Sequence, residues 1–171
     1  MIEQTPWFER KFDFNFPIGL FPVIVERLRG TSPHIEHIVN NKSEDRLSKK
    51  IDEAWSVKEQ VGHLYDLEEL WYGRIEDFLA GEKMLRAADL RNTKTHGANH
   101  NQKTMRQLLI RFSDARNALI QRVENLDEAT ASLTALHPRL QTPMRLIDSL
   151  FFMAEHDDHH VTKIRALLET L

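Results

Sequence analysis

Trp55-Ser56-Val57-Lys58-Glu59-Gln60-Val61-Gly62-His63-Leu64 is the stretch on which the fold turns. Ser56 followed three residues later by Glu59 is a capping box: the hydroxyl accepts from a free N–H of the first turn while the carboxylate reaches back. From there Val57, Val61, Leu64, Leu67, Trp71, Ile75 and Phe78 recur at steps of three and four. That is one apolar stripe at helical period. Gly81 stands where such a helix would be capped at its C-terminus. A helix this long with one apolar face needs partners, and the rest of the chain supplies them.

Near the C-terminus, Thr142 followed by Pro143 reads as an N-cap with proline in the first turn. Leu146, Ile147, Leu150, Phe151, Ala154, Val161, Ile164 and Leu168 then keep the helical period. Between these two helices, Met105, Leu108, Leu109, Phe112, Ala115, Leu119, Ile120 and Val123 mark a third, ending near Leu126. A fourth spans Leu20 to Leu28, is interrupted by Gly30 and Pro33, and is followed by a short helix through Ile35 and Val39. Strand signals are weak, with no sustained alternation. The polar stretch from Gly81 to Gln102, with His96, Gly97 and His100, reads as a long connection, and His137-Pro138-Arg139-Leu140 as a loop. The expected fold is all-α: a four-helix bundle with a long crossover connection, in a single domain over 1–171.

Composition narrows the function classes. The chain has 171 residues, 41% hydrophobic and 29% charged, with formal charge -3. That balance suits a globular protein and leaves no broad basic surface for nucleic acid. No apolar run approaches the roughly 20 residues that span a bilayer, and Met1-Ile2-Glu3-Gln4-Thr5-Pro6-Trp7 does not read as a signal peptide. A cytoplasmic protein acting on a small-molecule substrate is the expectation. Cysteine is absent, which excludes disulfides and thiolate metal sites, while histidine occurs nine times.

The histidine spacing carries the chemistry. In Glu155-His156-Asp157-Asp158-His159-His160, His156 and His160 are four apart and share one helix face. At about 100° per residue both fall at the margin of the apolar arc, Asp157 lies nearer its middle, and Asp158 and His159 point away. Taken alone, the pair is equally well a solvated, charge-rich turn. His63 lies inside the apolar arc of its own helix, between Leu67 and Leu70, where a lone histidine is more often a core residue with one satisfied hydrogen bond. Three buried imidazoles are costly without partners, however, and a metal accepts all three lone pairs at once. His63, His156 and His160 are therefore the candidate ligands. Asp157, Glu59 and Asp66 are the candidate carboxylates for orienting them; Glu59 serves equally well as a mere capping partner.

Together, the Trp55–Leu64 segment, His137-Pro138-Arg139-Leu140, and Met144-Arg145-Leu146 through Ala154–His160 resemble the DinB/YfiT-like superfamily of helical-bundle metalloproteins. Trp7-Phe8-Glu9-Arg10-Lys11-Phe12 and Ala88-Asp89-Leu90 also look typical of one branch. The resemblance implies a bundle with a long crossover and a divalent metal, usually nickel or zinc, on His63, His156 and His160. It further implies a homodimer and, from relatives such as bacillithiol transferases and mycothiol-dependent maleylpyruvate isomerases, use of a low-molecular-weight thiol. Relatives often continue the last motif with small residues and a Gly-Gln pair; Asp157, Asp158, Val161 and Thr162 stand here instead, which weighs against thiol transfer.

Three neutral imidazoles leave an ion its full charge and an open position. Metal-dependent hydrolysis and thiol S-transfer both follow from such a site, and a non-catalytic domain stapled by its metal is the alternative. No nucleophile elbow, P-loop or dinucleotide fingerprint accompanies it.

Overall fold

Ser56 does cap the helix it was read to start. A computed structural model describes residues 2–171, and in it Ser56 Oγ accepts from Glu59 N at 3.2 Å while Glu59 Oε2 accepts from Ser56 N at 2.9 Å. Met1, the first residue of the stretch read as no signal peptide, lies outside the described residues. Seven α-helices and one hairpin follow in the order α1 (Phe21–Val39), α2 (Glu44–Ser48), α3 (Val57–Leu79), α4 (Thr93–Gly97), α5 (Met105–Val123), α6 (Glu128–Ala131), β1 (Thr134–His137), β2 (Thr142–Arg145) and α7 (Leu146–Thr170). No helix of the described residues is long and apolar enough to cross a membrane.

The four long helices, α1, α3, α5 and α7, make a four-helix bundle whose directions follow from its two apolar clusters. One holds Leu28, Phe78, Leu119 and Leu146; the other holds Ile35, Val61, Phe112 and Ile164. The first half of α1 and of α7 thus shares an end with the second half of α3 and of α5. Helices α1 and α7 run parallel to each other and antiparallel to α3 and α5. Helix α3 packs on α5 and α7, and α1 on α7 and α5, so α1 and α3 face each other across a diagonal. Parallel neighbours force the long connection: from the end of α3 the chain must travel back along 23 residues of helix, roughly 35 Å, before α5 can start.

Four boundaries differ from the sequence reading. Helix α1 runs unbroken through Gly30 and Pro33. Proline inside a helix costs about 3 kcal/mol, but stopping there would expose Ile35 and Val39, which are buried and contribute roughly 1.5–3 kcal/mol each. Packing wins. Helix α5 ends at Val123, three residues short of Leu126. The Gly81–Gln102 connection carries α4 and a turn of 3₁₀-helix at His100–Gln102.

The last helix starts later than Thr142. Thr142–Arg145 pairs antiparallel with Thr134–His137, Leu136 opposite Pro143. Strand β1 is flanked on its other side by Met84, with Leu85 N donating to Leu136 O at 3.0 Å, so β2 is an edge strand. An edge is where proline fits a sheet, since its missing N–H interrupts nothing. Asp148 takes over the cap, its Oδ2 accepting from Arg145 N at 2.7 Å.

A polar layer separates the apolar clusters. On one side of it the buried Arg116 of α5 donates to Glu68 of α3 at 2.6 Å, Asp157 of α7 at 2.6 Å and Leu28 O of α1 at 3.0 Å. One guanidinium therefore ties all four helices together. The histidines occupy the other side.

Candidate metal centre

Helices α3 and α7 lie against each other in opposite directions, which sets His63, one turn and a half into α3, opposite His156 and His160 near the middle of α7. All three are buried, and each offers one ring nitrogen such that the three atoms lie within 4.8 Å of one another. The ring centroids are 5.4 Å apart for His63–His156, 4.8 Å for His63–His160 and 4.5 Å for His156–His160. Nε2 of His156 faces Nε2 of His160 at 3.2 Å.

Hydrogen bonds behind the rings decide which nitrogens carry protons. His160 Nδ1 lies 2.6 Å from Gln60 Oε1, a pure acceptor, so Nδ1–H donates and Nε2 keeps its lone pair. His63 Nδ1 lies 3.1 Å from Thr95 Oγ1, and that hydroxyl gives its own proton to Asp66 Oδ2 at 2.9 Å. Thr95 can then only accept from His63, which leaves His63 Nε2 unprotonated as well. His100 Nε2 donates to the same Asp66 oxygen at 2.8 Å. The chain His63–Thr95–Asp66–His100 thus fixes one imidazole, and Gln60 another. Two outer nitrogens are pinned by partners of the kind that orient metal ligands.

The electrostatics keep the rings neutral. Burial pushes the His63 pKa down to about 4, outweighing the pull of Asp66. Burial, then the neighbouring imidazoles, hold His156 and His160 well below the ordinary histidine value of 6.5. Burial pushes the Asp66 carboxyl up, but hydrogen bonds from His100 and Thr95 outweigh it and keep it ionised below the usual range. Neutral imidazoles, two of them held with inward lone pairs, are what a divalent cation requires of nitrogen ligands. The donor set fits one.

Other residues read from the sequence fall differently. Asp66 acts on His63 through Thr95 rather than directly. Glu59 is engaged by Ser56 N and by Lys50 Nζ at 2.8 Å, away from the imidazoles. Asp157 is taken up by Arg116 and by Thr31 Oγ1, which donates to it at 2.9 Å, so it belongs to the clamp and neither orients nor completes the histidine group. His159 points away from the bundle's apolar arc and is nonetheless buried, at 3% exposed. A helical wheel sees only the bundle side of α7, whereas the N-terminal segment covers the other. Trp7 lies 4.9 Å from the His156 ring and 5.7 Å from that of His159, and Arg10 forms an ion pair with Glu155.

Several site residues escaped sequence reasoning. Gln60 had a signal, standing three residues before His63 on the same face of α3. Thr95 and His100 had none beyond their place in a histidine-bearing loop. His100 is brought in by Gly62, where even a Cβ would sit 2.3 Å from the His100 ring. Trp55 lies over His63 at 4.7 Å, and Trp71 flanks His156 at 6.0 Å. All three tryptophans of the chain therefore frame the cluster. They also line a cavity of about 1300 Å³ onto which the three histidines open.

A family model described as the DinB superfamily matches residues 27–164. Among solved structures, the chain is similar to YfiT from Bacillus subtilis, at TM-score 0.82 and 18% identity over 95% of this chain and 93% of that one. YfiT is described as a probable metal-dependent hydrolase with an unusual four-helix bundle topology. No curated protein matches the sequence.

Proposed function

Since the chain belongs to the DinB superfamily, we propose that it is a divalent-metal-dependent enzyme of the hydrolase type, with His63, His156 and His160 holding the ion. The observation that carries this reading is the pair of pinned outer nitrogens on His63 and His160, which turns lone pairs toward a common point. A divalent cation there would supply Lewis acidity, polarising a carbonyl or phosphoryl oxygen and acidifying water, or a thiol, at the open side.

The protein's own residues do the remaining work. Gln60 and the Thr95–Asp66 pair hold two rings in one tautomer and orientation. Trp55, Trp71 and Trp7 wall the cluster and limit water to the cavity side. The ligand set is incomplete in the manner of catalytic rather than structural sites, and Asp157, the carboxylate best placed along α7 to close it, is spent on Arg116.

A second reading, thiol S-transfer, draws on the cavity. At about 1300 Å³ it exceeds the usual 300–1,000 Å³ of a single-ligand pocket, giving room for a low-molecular-weight thiol beside an electrophile. Nickel or zinc as the ion and a homodimer come from the family resemblance, and a cytoplasmic setting from the sequence reading; all three belong to this same proposal.

The test begins with metal analysis of the purified protein, which should find about one ion per chain, lost in His160→Ala. Full retention of metal in that variant removes His160 from the ligand set. Ester, amide and phosphoester substrates are then screened in plain buffer and beside added thiol with electrophiles. Turnover in plain buffer supports the hydrolase, and turnover only with thiol selects the second reading.

A further inference from the structure

Beyond the three histidines, the same cavity wall carries a group of hydrogen-bond donors with nothing to accept from them. Trp71 Nε1, His137 Nε2 and Arg139 Nη2 are buried and unpartnered, and all three residues line the cavity, as does Arg74. His137 Nδ1 accepts from Leu140 N at 3.2 Å, so the neutral ring carries its proton on Nε2. That nitrogen is a donor, like the other two. Four donor groups from two elements, α3 and the β1–β2 hairpin, share one wall.

They are also neighbours. Phe152 is a common centre: its ring lies 5.2 Å from that of His137, 6.3 Å from that of Trp71 and 5.8 Å from Arg139 Cζ. Arg74 Cζ stands 5.3 Å from the Trp71 ring. Burial lowers the Arg74 pKa to about 10, and Arg139 pushes it the same way; burial and then these two arginines hold His137 down at about 4.

Positive charge here has no hydrogen-bonded internal counter-charge. Arg74 is 2% exposed, and its one hydrogen bond runs from Nε to the backbone carbonyl of Arg86 at 3.1 Å. Asp77, the acid that acts on it, is clamped by Arg86 Nη2 at 2.7 Å. The carboxylates on the cavity (Glu3, Asp52, Glu53, Asp89 and Glu169) are all solvent-exposed. The same fold gives its other fully buried arginine, Arg116, two carboxylates and a carbonyl. A buried guanidinium left without an acid is costly, and planar forked donors match carboxylate and phosphate oxygens.

We infer that Arg74, Arg139, His137 and Trp71 form an oxyanion subsite, which holds a carboxylate or phosphate group of the substrate while its reacting part reaches the three histidines. The inference rests on the proposed metal-dependent function for the second half of that statement only. Trp71 links the two groups: its ring lies 5.3 Å from Arg74 Cζ and 6.0 Å from the His156 ring. The substrate is thus an anion whose charged group sits beside Trp71, next to the histidines that its reactive centre reaches.

The test is an NMR titration of ¹⁵N-labelled protein, following the Trp71 indole N–H (assigned with Trp71→Phe), with inorganic phosphate in one arm and acetate in the other. Each arm is run on zinc-loaded and on chelator-treated protein. A saturable shift is expected in at least one arm, with or without zinc, and the arm that saturates at lower concentration identifies the anion. Arg139→Gln, at a half-buried position of the hairpin turn, should weaken it about tenfold or more. Arg74→Gln should weaken it likewise, the spectrum itself reporting that each variant is folded. No saturable shift in either arm, or one unchanged in folded Arg139→Gln, overturns the subsite. Binding that needs zinc and ignores Arg139 places the anion on the ion, which overturns the subsite and leaves the metal reading standing. Binding to a protein that takes up no metal does the reverse.

Discussion

Replacing Gln60 with leucine removes one hydrogen bond, and its effect can be worked from the geometry. Gln60 Oε1 is the acceptor for His160 Nδ1–H at 2.6 Å, with both side chains buried. Leucine leaves that N–H unpaired in a place water does not readily reach, which costs about 1–3 kcal/mol. It also frees His160 to adopt the other tautomer, with its proton on the nitrogen that faces His63 and His156. Both effects fall on the metal-bound state. At 1.36 kcal/mol per decade the zinc dissociation constant should rise roughly 5- to 150-fold, in line with the 10–100-fold typical of such outer partners. The assay is competition with a chromophoric chelator at pH 7.5, reading affinity and stoichiometry together. Stoichiometry should stay at one, because no ligand is lost. Gln60→Glu keeps an acceptor on Nδ1–H and should bind zinc at least as well as the parent. An affinity for Gln60→Leu within twofold of the parent, with the fold intact, would refute the tautomer argument and with it the fit of the site to a metal.

Two further outcomes separate the clamp from the metal centre. Arg116→Met strands Glu68 and Asp157 as buried neighbours without their cation. It should destabilise the protein by about 3–5 kcal/mol, a fall in Tm of roughly 6–20 °C for a domain of this size. Asp157→Asn should cost less, about 1.5–3 kcal/mol, and leave zinc stoichiometry at one; loss of zinc from folded Asp157→Asn would return Asp157 to the metal site. The pH dependence of the metal-free protein has a definite sign. His63 has a folded pKa of about 4 against 6.5 unfolded, and His156 and His160 are depressed too. The unfolded chain therefore binds more protons below pH 6.5. Stability is present in full above that value and is lost as pH falls toward 4, at about 1.4 kcal/mol per pH unit for each such histidine. Urea titrations at pH 7.5, 6 and 5 should show this; equal stability at all three would mean that the imidazoles are not held neutral.

Features legible in the sequence were those written in local chemistry. Ser56 and Glu59 announced a helix start because a capping box is completed within four residues. His63, His156 and His160 could be placed together because helical period fixes each on an inward face, and a bundle brings inward faces into contact. What the period could not show was anything decided by distant chain. Pro33 reads as a stop, and only the burial of Ile35 and Val39 by other helices overrides it. Thr142-Pro143 reads as an N-cap, and only pairing with Thr134–His137 makes it an edge strand. His159 reads as pointing away from the bundle's apolar arc, and only Trp7, far away in the chain, buries it there. Asp157 shows why a residue beside a ligand need not serve it: at 100° per residue the next position already faces Arg116.

The distribution of unsatisfied polar atoms argues that this fold separates support from chemistry. Its polar layer holds two groups of comparable burial. In the Arg116 group every charge meets an opposite charge or a carbonyl. The histidine side is unlike it: His156 Nδ1 and His159 Nδ1 have no partner, and neither do Trp71 Nε1, His137 Nε2 and Arg139 Nη2. Among the described residues these are five of the six buried orphan side-chain atoms, and all five belong to residues lining one cavity; the sixth, Arg46 Nε, does not. A fold that satisfies buried groups so fully around Arg116 could evolve the same thrift here, and unmet hydrogen bonds cost about 1–3 kcal/mol each. Three of the five, Trp71 Nε1, His137 Nε2 and Arg139 Nη2, are donors on one wall, and their concentration there is accounted for if an anion beside Trp71 completes that wall. An ion on the inward nitrogens would leave His156 Nδ1 and His159 Nδ1 as they are.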